Sequence, residues 1–283
     1  MTAAPARSNL YMRVVTALVM AAVVIGTLAT ASTPLWAALV TLFCLAAVWE
    51  STRLMRGGAA SAMLVTWGVS LALLGALAYC AFSADRRAAP VLPALLSVAA
   101  AFWLLVAPRQ LVARRIDMQS WHGRLVVPLV IGAAWLSAIV LQRVGMGFLI
   151  GVVVITVVAD VAAYFVGRKF GKVKLAPAIS PGKTREGAMG GVAAAAIWTC
   201  AVASYLGLTN TPLESVLAGL AGALLGAFAV VGDLWESQLK RQAGVKDSSQ
   251  LLPGHGGVLD RIDAQLPVLP LATLLVSLVK PLW

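Results

Sequence analysis

Apolar runs long enough to cross a lipid bilayer recur from one end of this chain to the other, and nothing else in it constrains the fold so severely. They lie at about 14–31, 34–50, 61–83, 89–107, 125–142, 146–166, 187–207, 214–236 and 264–282. A hydrocarbon core about 30 Å thick needs roughly 20 helical residues per crossing. The expected fold is therefore all-α: a polytopic integral membrane protein of about nine transmembrane helices. Composition agrees, because 60% hydrophobic and 12% charged residues carry more apolar surface than one water-soluble core could hide. The run from Leu10 to Ser32 has basic flanks and small residues near its end, as a cleavable signal would. Its length and the apolar run directly after it favour a retained first span.

The chain has a formal charge of +11 and 22 basic residues. In a chain this apolar those charges are expected to serve topology, anionic headgroups and phosphate-bearing substrates, and not nucleic acid. Alternating the nine runs across a bilayer puts 18 of the 22 on one side. Arg56 between the second and third runs belongs to that side, whereas Arg86, Arg87, Arg143 and Lys280 fall opposite. The richer side is expected to be cytoplasmic, together with the N-terminus. Cys44, Cys80 and Cys200 all lie in apolar runs without metal-ligand spacing and read as packing residues.

Ionisable groups inside or beside spanning helices are costly and mark functional interiors. In ITVVADVAAYFVGRKFG, helical spacing puts Asp160, Tyr164 and Gly167 on one stripe. At the end of the eighth run, Asp233, Ser237 and Lys240 share a face by the same spacing, while Glu236 is rotated away and reads as an interfacial anchor. In LLPGHGGVLDRIDAQLP, glycines permit a tight turn before Asp260 and Asp263, whose spacing converges in a helical turn. Asp233, Asp260 and Asp263 are the candidate ligands of a hard divalent ion such as Mg²⁺.

Between the sixth and seventh runs, GRKFGKVKLAPAISPGKTREGAMGG carries six basic residues, and Lys183, Thr184 and Arg185 resemble a phosphate clamp. A P-loop is rejected, since Pro177 stands where G-x-x-x-x-G-K-[ST] needs glycine and no strand is expected before it. Arg168, Lys169, Lys172 and Lys174 are accounted for by sidedness alone. His122 reads as structural, whereas His255, between glycines and beside the acidic pair, can hydrogen-bond a phosphate or leaving oxygen or else stabilise the turn. Metal-binding carboxylates, cationic side chains and a glycine turn suit phosphoryl or nucleotidyl transfer, in which a protein chiefly positions groups and neutralises charge.

Residues 237–263, SQLKRQAGVKDSSQLLPGHGGVLDRID, match S-x-x-K-R-x(4)-K-D-x(4)-[hydrophobic]-P-G-H-G-G-x-x-D-R-x-D throughout. This segment resembles the signature of the phosphatidate cytidylyltransferases, also called CDP-diacylglycerol synthases. DVAAYFVGRKFGKVKLAPAISPGKTREG resembles the upstream elements of that family, and Arg185 departs from the aromatic residue many relatives carry. The resemblance covers the C-terminal half, so 146–283 is expected to be the catalytic half of a single membrane domain, with 1–145 a variable scaffold. It implies a Mg²⁺-dependent transfer of CMP from CTP to phosphatidic acid, yielding CDP-diacylglycerol and pyrophosphate, by a homodimer of the bacterial inner membrane with a monovalent cation such as K⁺ beside the Mg²⁺. It further implies metal binding by Asp233, Asp260 and Asp263, and phosphate contacts from Lys240, Arg241 and Lys246. Ser180, Lys183 and Thr184 complete the pocket and Asp160 and Tyr164 line it, while Asp247 orients Lys246 or the nucleotide and Arg261 braces the acidic turn.

The main rival is a transporter of phosphorylated compounds, for which buried Asp residues and basic loops would form a path. Such a path should show matching loops on both faces or an inverted repeat, and neither is present in the sequence. Transfer of a phosphoalcohol from CDP-diacylglycerol is disfavoured by the absence of D-G-x-x-A-R…G-x-x-x-D-x-x-x-D.

Overall fold

The computed structural model describes residues 6–55, 60–82, 90–118, 120–280 and 282; Arg56, Arg86 and Arg87 of the charge argument lie outside them. Among the described residues eight helices are long and apolar enough to cross a membrane. The first three are α1 (Ala6–Ala29), α2 (Thr33–Leu54) and α3 (Ala60–Phe82). The fourth is composite: α4 (Val91–Ala101), a wide π turn at Phe102–Val106, and α5 (Ala107–Ala113). Pro108 has no amide hydrogen to return to the Leu104 carbonyl, and at the turn the Ala107 N–H reaches back to Phe102. Then follow α6 (Trp121–Val144), α7 (Met146–Phe170), α8 (Arg185–Tyr205) and α9 (Pro212–Gln242).

The ninth apolar run corrects the expectation of a continuous span. It forms only the 13-residue α11 (Gln265–Ser277), about 20 Å of helix, which follows the short α10 (Leu259–Ile262). Pro267 offers no N–H to the Asp263 carbonyl, which breaks the ladder while Asp263 and Ala264 keep helical dihedrals. The turn after α11 still reaches the far end of the bundle, where Lys280 Nζ donates to the Val144 carbonyl at 3.3 Å. Arg143 donates to the Ala81 carbonyl at the same end.

At the centre stands α6, with every residue from Val130 to Gln142 buried. Without water, polar groups must be satisfied within the protein. The Trp36 indole donates to the Ala138 carbonyl (3.0 Å), Trp135 to Thr41 Oγ1 (2.8 Å) and Trp198 to the Gly151 carbonyl (2.8 Å). Where α7, α8 and α9 meet, small residues let backbones touch: a Cβ on Gly187 or Gly191 would stand 2.7 Å from the carbonyl of Ala163 or Ala159. Leu64, Met189, Ile197 and Tyr205 are exposed on the outer surface, as lipid-facing residues are.

A two-stranded antiparallel hairpin, β1 (Lys174–Ala176) and β2 (Ser180–Thr184), joins α7 to α8. The helical reading did not anticipate it. The G-K-T fragment sits on β2 itself, with Thr184 capping α8, so this is no phosphate-wrapping loop.

Candidate active site

Five pieces of chain meet at one end of the bundle: the last turns of α9, the hairpin, the segment 246–263, the end of α2 and the start of α1. Asp233 lies about 30 Å along α9 from Pro212, the thickness of the hydrocarbon core. The polar tail of α9 beyond it therefore projects past the apolar zone.

The first cluster is acidic. Asp233 is ion-paired with Lys183 from β2 and accepts a hydrogen bond from Ser237 Oγ at 3.2 Å. A Cβ on Gly232 would stand 2.5 Å from the Asp263 carbonyl, so only glycine lets the α10–α11 break lie against α9 here. Asp160 on α7 is in electrostatic reach of Lys183, Asp233 and Arg261. Burial first, then the charge of Asp233, push the Asp263 carboxyl up to about 7. A site in which neighbouring carboxylates repel in this way is suited to a cation.

The second cluster is a buried network. Lys240 Nζ lies 2.6 Å from Asp260 Oδ1 and 2.6 Å from Glu236 Oε2. Asp260 also accepts from the Gly257 N–H (2.7 Å) and the Ser248 N–H (3.0 Å), and it shares the single Ser248 hydroxyl hydrogen with Glu50, Oγ lying 3.0 Å from each acid. Burial alone would raise the Asp260 carboxyl, but hydrogen bonding with Glu236, Lys240 and Gly257 outweighs it and holds Asp260 below the usual range. Glu236 is no interfacial anchor: it is fully buried and serves as a counter-ion of Lys240. Glu50 of α2, also fully buried, accepts from Ser248 Oγ, Ser249 Oγ and the N–H groups of Val258 and Leu259. Sequence reasoning missed it, although it is the only acid among the first 84 residues and lies inside an apolar run.

Beside these clusters opens a cavity of about 710 Å³, where Arg13, Lys246, His255 and Arg261 face a single carboxylate, Asp247. Gly254 and Gly256, at φ of +75° and +85°, turn the chain so that Leu252 and Gly256 pair across the loop. Arg261 donates through Nε and Nη2 to the His255 carbonyl (3.1 and 2.7 Å), bracing the turn. His255 Nδ1 is buried with no hydrogen-bond partner among the described residues.

The remaining expected site residues are more dispersed. Thr184 Oγ1 caps α8 by accepting from Gly187 N–H at 3.1 Å, and Ser180 lies at the turn end of β2, opposite Ala176. Arg241 donates to the Ile179 and Val245 carbonyls, tying α9 to the hairpin. Tyr164 is exposed, its hydroxyl accepting from Arg168 at 3.3 Å. Asp260 is bonded to Lys240, whereas Asp263 Oδ1 accepts from the Ala264 N–H at 2.7 Å and feels the charges of Asp233 and Asp160. Among the described residues no three acidic, His or Cys side chains form a ready ligand group, so the set Asp233, Asp260 and Asp263 is not assembled. Asp233 and Asp263 remain as an oxygen-donor pair, which fits Mg²⁺, since that ion is commonly held by one or two carboxylates plus substrate phosphates.

Residues 11–279 match the profile of the Cytidylyltransferase family. The chain is 44% identical over 145 residues to the phosphatidate cytidylyltransferase of Pseudomonas aeruginosa, covering 50% of this chain and 52% of that one. It is 45% identical over 130 residues to the Haemophilus influenzae phosphatidate cytidylyltransferase (44% of each chain). A third relative, the uncharacterized protein YnbB of Escherichia coli, is 43% identical over 141 residues (49% and 46%). The chain thus spans about half the length of the curated relatives it matches.

Proposed function

Because the chain belongs to the cytidylyltransferase family, we propose that it transfers the cytidylyl group of CTP to phosphatidic acid. A phosphatidate oxygen attacks the α-phosphorus of CTP, the bond from that phosphorus to the bridging oxygen of the β-phosphate breaks, and pyrophosphate leaves as CDP-diacylglycerol forms. The phosphate nucleophile is already anionic, so no strong general base is needed. One observation carries this reading: the 237–263 signature folds into one end of the bundle, where Arg261 both lines the cationic cavity and lies in electrostatic reach of Asp160, the neighbour of Asp233 and Asp263. The reading is not one of transport, since these groups gather at one end of the bundle.

In this reading Arg13, Lys246 and Arg261 hold the triphosphate, His255 donates to or accepts from it, and Asp247 orients Lys246. Lys183 neutralises the lipid phosphate near Asp160, at the depth where a headgroup meets the hydrocarbon. Lys240 acts within the protein, balancing Glu236 and Asp260. Asp233 and Asp263 would hold Mg²⁺, which when bound neutralises phosphate charge; a monovalent cation such as K⁺ beside it and a homodimeric state belong to the same proposal. The site end is assigned to the cytoplasmic side of a bacterial inner membrane, on the strength of the 18-to-4 division of basic residues.

The test is pyrophosphate release and CDP-diacylglycerol formation by detergent-purified protein given CTP, phosphatidic acid and Mg²⁺, with Asp263→Asn as control. Product from the unmutated protein alone supports the assignment, and folded protein that yields none overturns it.

A further inference from the structure

Glu50 reaches the site from α2, nearly two hundred residues before the signature turn in sequence. Each of its oxygens receives one hydroxyl and one backbone N–H. At Oε1 these are Ser249 Oγ (2.5 Å) and Val258 N (2.9 Å); at Oε2 they are Ser248 Oγ (3.0 Å) and Leu259 N (2.6 Å). All four donors belong to the 248–259 segment, and they sit at its two ends. Between those ends the segment bonds with itself at the Leu252–Gly256 bridge, from the His255 N–H to the Leu252 carbonyl (2.9 Å) and from the Leu251 N–H to Ser249 Oγ (3.0 Å), and it lines the cationic cavity. A Cβ on Gly257 would stand 2.5 and 2.6 Å from the two Glu50 oxygens and 1.9 Å from Ser248 Oγ, so the chain closes around this carboxylate without a gap. Ser248, in turn, bonds Asp260, which holds Lys240.

We propose that Glu50 is a positioning residue for cytidylyl transfer: its carboxylate closes both ends of the 248–259 turn, fixing Lys246, His255 and Arg261 in the arrangement that receives the nucleotide triphosphate. The inference rests on the functional reading above and deepens it. A carboxylate is required because either oxygen replaced by an amide nitrogen would face a backbone N–H that can only donate. Glutamine therefore loses at least one of the two backbone bonds while keeping shape and volume. A misplacement on the order of 1 Å at a reacting centre can cost roughly 100-fold in rate.

The experiment compares unmutated protein, Glu50→Gln and the milder Ser249→Ala in detergent, with pyrophosphate release measured against CTP at saturating phosphatidic acid and the reverse. Melting midpoint and amide hydrogen exchange across 248–259 are recorded on the same samples. Glu50→Gln is expected to raise the KM for CTP roughly tenfold or more while the KM for phosphatidic acid stays within about twofold, with faster exchange at Val258 and Leu259. Ser249→Ala should move the same quantities the same way by a smaller factor, and it decides the matter should Glu50→Gln not fold. A folded Glu50→Gln enzyme with unchanged CTP dependence overturns the proposal, as does a loss equal for both substrates and proportional to lost folded protein. Unmutated protein that releases no pyrophosphate overturns the functional reading itself, a different outcome from an active enzyme indifferent to Glu50.

Discussion

Removing the Lys240 ammonium should do more damage to stability than to substrate contact, and a second substitution should repair most of it. The Lys240 side chain is 11% exposed, Glu236 is 0% and Asp260 6%, and Nζ stands 2.6 Å from an oxygen of each acid. Lys240→Met leaves two carboxylates facing one another out of water. Deleting one member of a buried pair costs about 3–5 kcal/mol, because the surviving charge is uncompensated. Asp260 keeps its bonds from Gly257 and Ser248, so most of that cost falls on Glu236, which has no other ion-pair partner among the described residues. Glu236→Gln in the Lys240→Met background should therefore recover about 2–3 kcal/mol, a coupling within the range measured for residues in direct contact. The assay is denaturant unfolding in detergent for both single variants and the double, closed as a double-mutant cycle, with pyrophosphate release measured alongside. A double variant no more stable than Lys240→Met would refute the pairing. A double variant restored in stability but with no turnover would show Lys240 touching substrate, contrary to the internal role assigned to it.

Three further outcomes are expected. Gly257→Ala, whose new methyl would stand 1.9 Å from Ser248 Oγ, should lower kcat/KM more than about 100-fold, on the order of 2.7 kcal/mol in transition-state stabilisation, measured on protein that still elutes as a folded species. Thr184→Ala should cost about 1 kcal/mol in stability through the lost cap on α8, and Thr184→Ser should cost little; a changed KM for CTP in the alanine variant would place the hydroxyl on substrate instead. Arg13→Ala should raise the KM for CTP roughly tenfold, about 1.4 kcal/mol, with the melting midpoint unmoved, as steady-state kinetics on the purified protein would read directly.

What could be read from the sequence, and what could not, follows the range of the forces involved. Span positions were legible because each helix must bury its own backbone over a fixed thickness: the expected 146–166 and 187–207 became Met146–Phe170 and Arg185–Tyr205. The run expected at 214–236 extends to Gln242 because its polar end is held from outside the helix. Trp235 donates to Gln110, Gln238 to the Arg114 carbonyl, and Gln242 accepts from Ile116 N–H. No local pattern announces contacts that depend on a segment more than a hundred residues away. The hairpin was hidden for a related reason, since basic residues and two prolines obscure any alternation over three- and five-residue strands. Asp260 and Asp263 keep the spacing of one helical turn, yet Lys240 and the N–H groups of Gly257 and Ser248 draw Asp260 into a network of its own, through contacts from outside the turn that spacing does not reveal.

Glu50 is a different kind of miss. The cost of an ionisable residue in an apolar run, which singles out Asp160 and Asp233, singles out Glu50 equally well. The C-terminal half carries the recognisable pattern, which invites treating 1–145 as scaffold, yet the Leu252–Gly256 pairing and the Arg261 brace hold the middle of the 248–259 turn and leave its two ends to be joined from outside it. Its backbone N–H groups at Val258 and Leu259 need acceptors, and the surrounding helices have already consumed their carbonyls in their own ladders. A buried carboxylate is the side chain that can accept from several donors at once, so a signature rich in free N–H groups demands one from elsewhere in the fold. The signature turn therefore depends on an acceptor outside itself, and the lone acid of α2 supplies it.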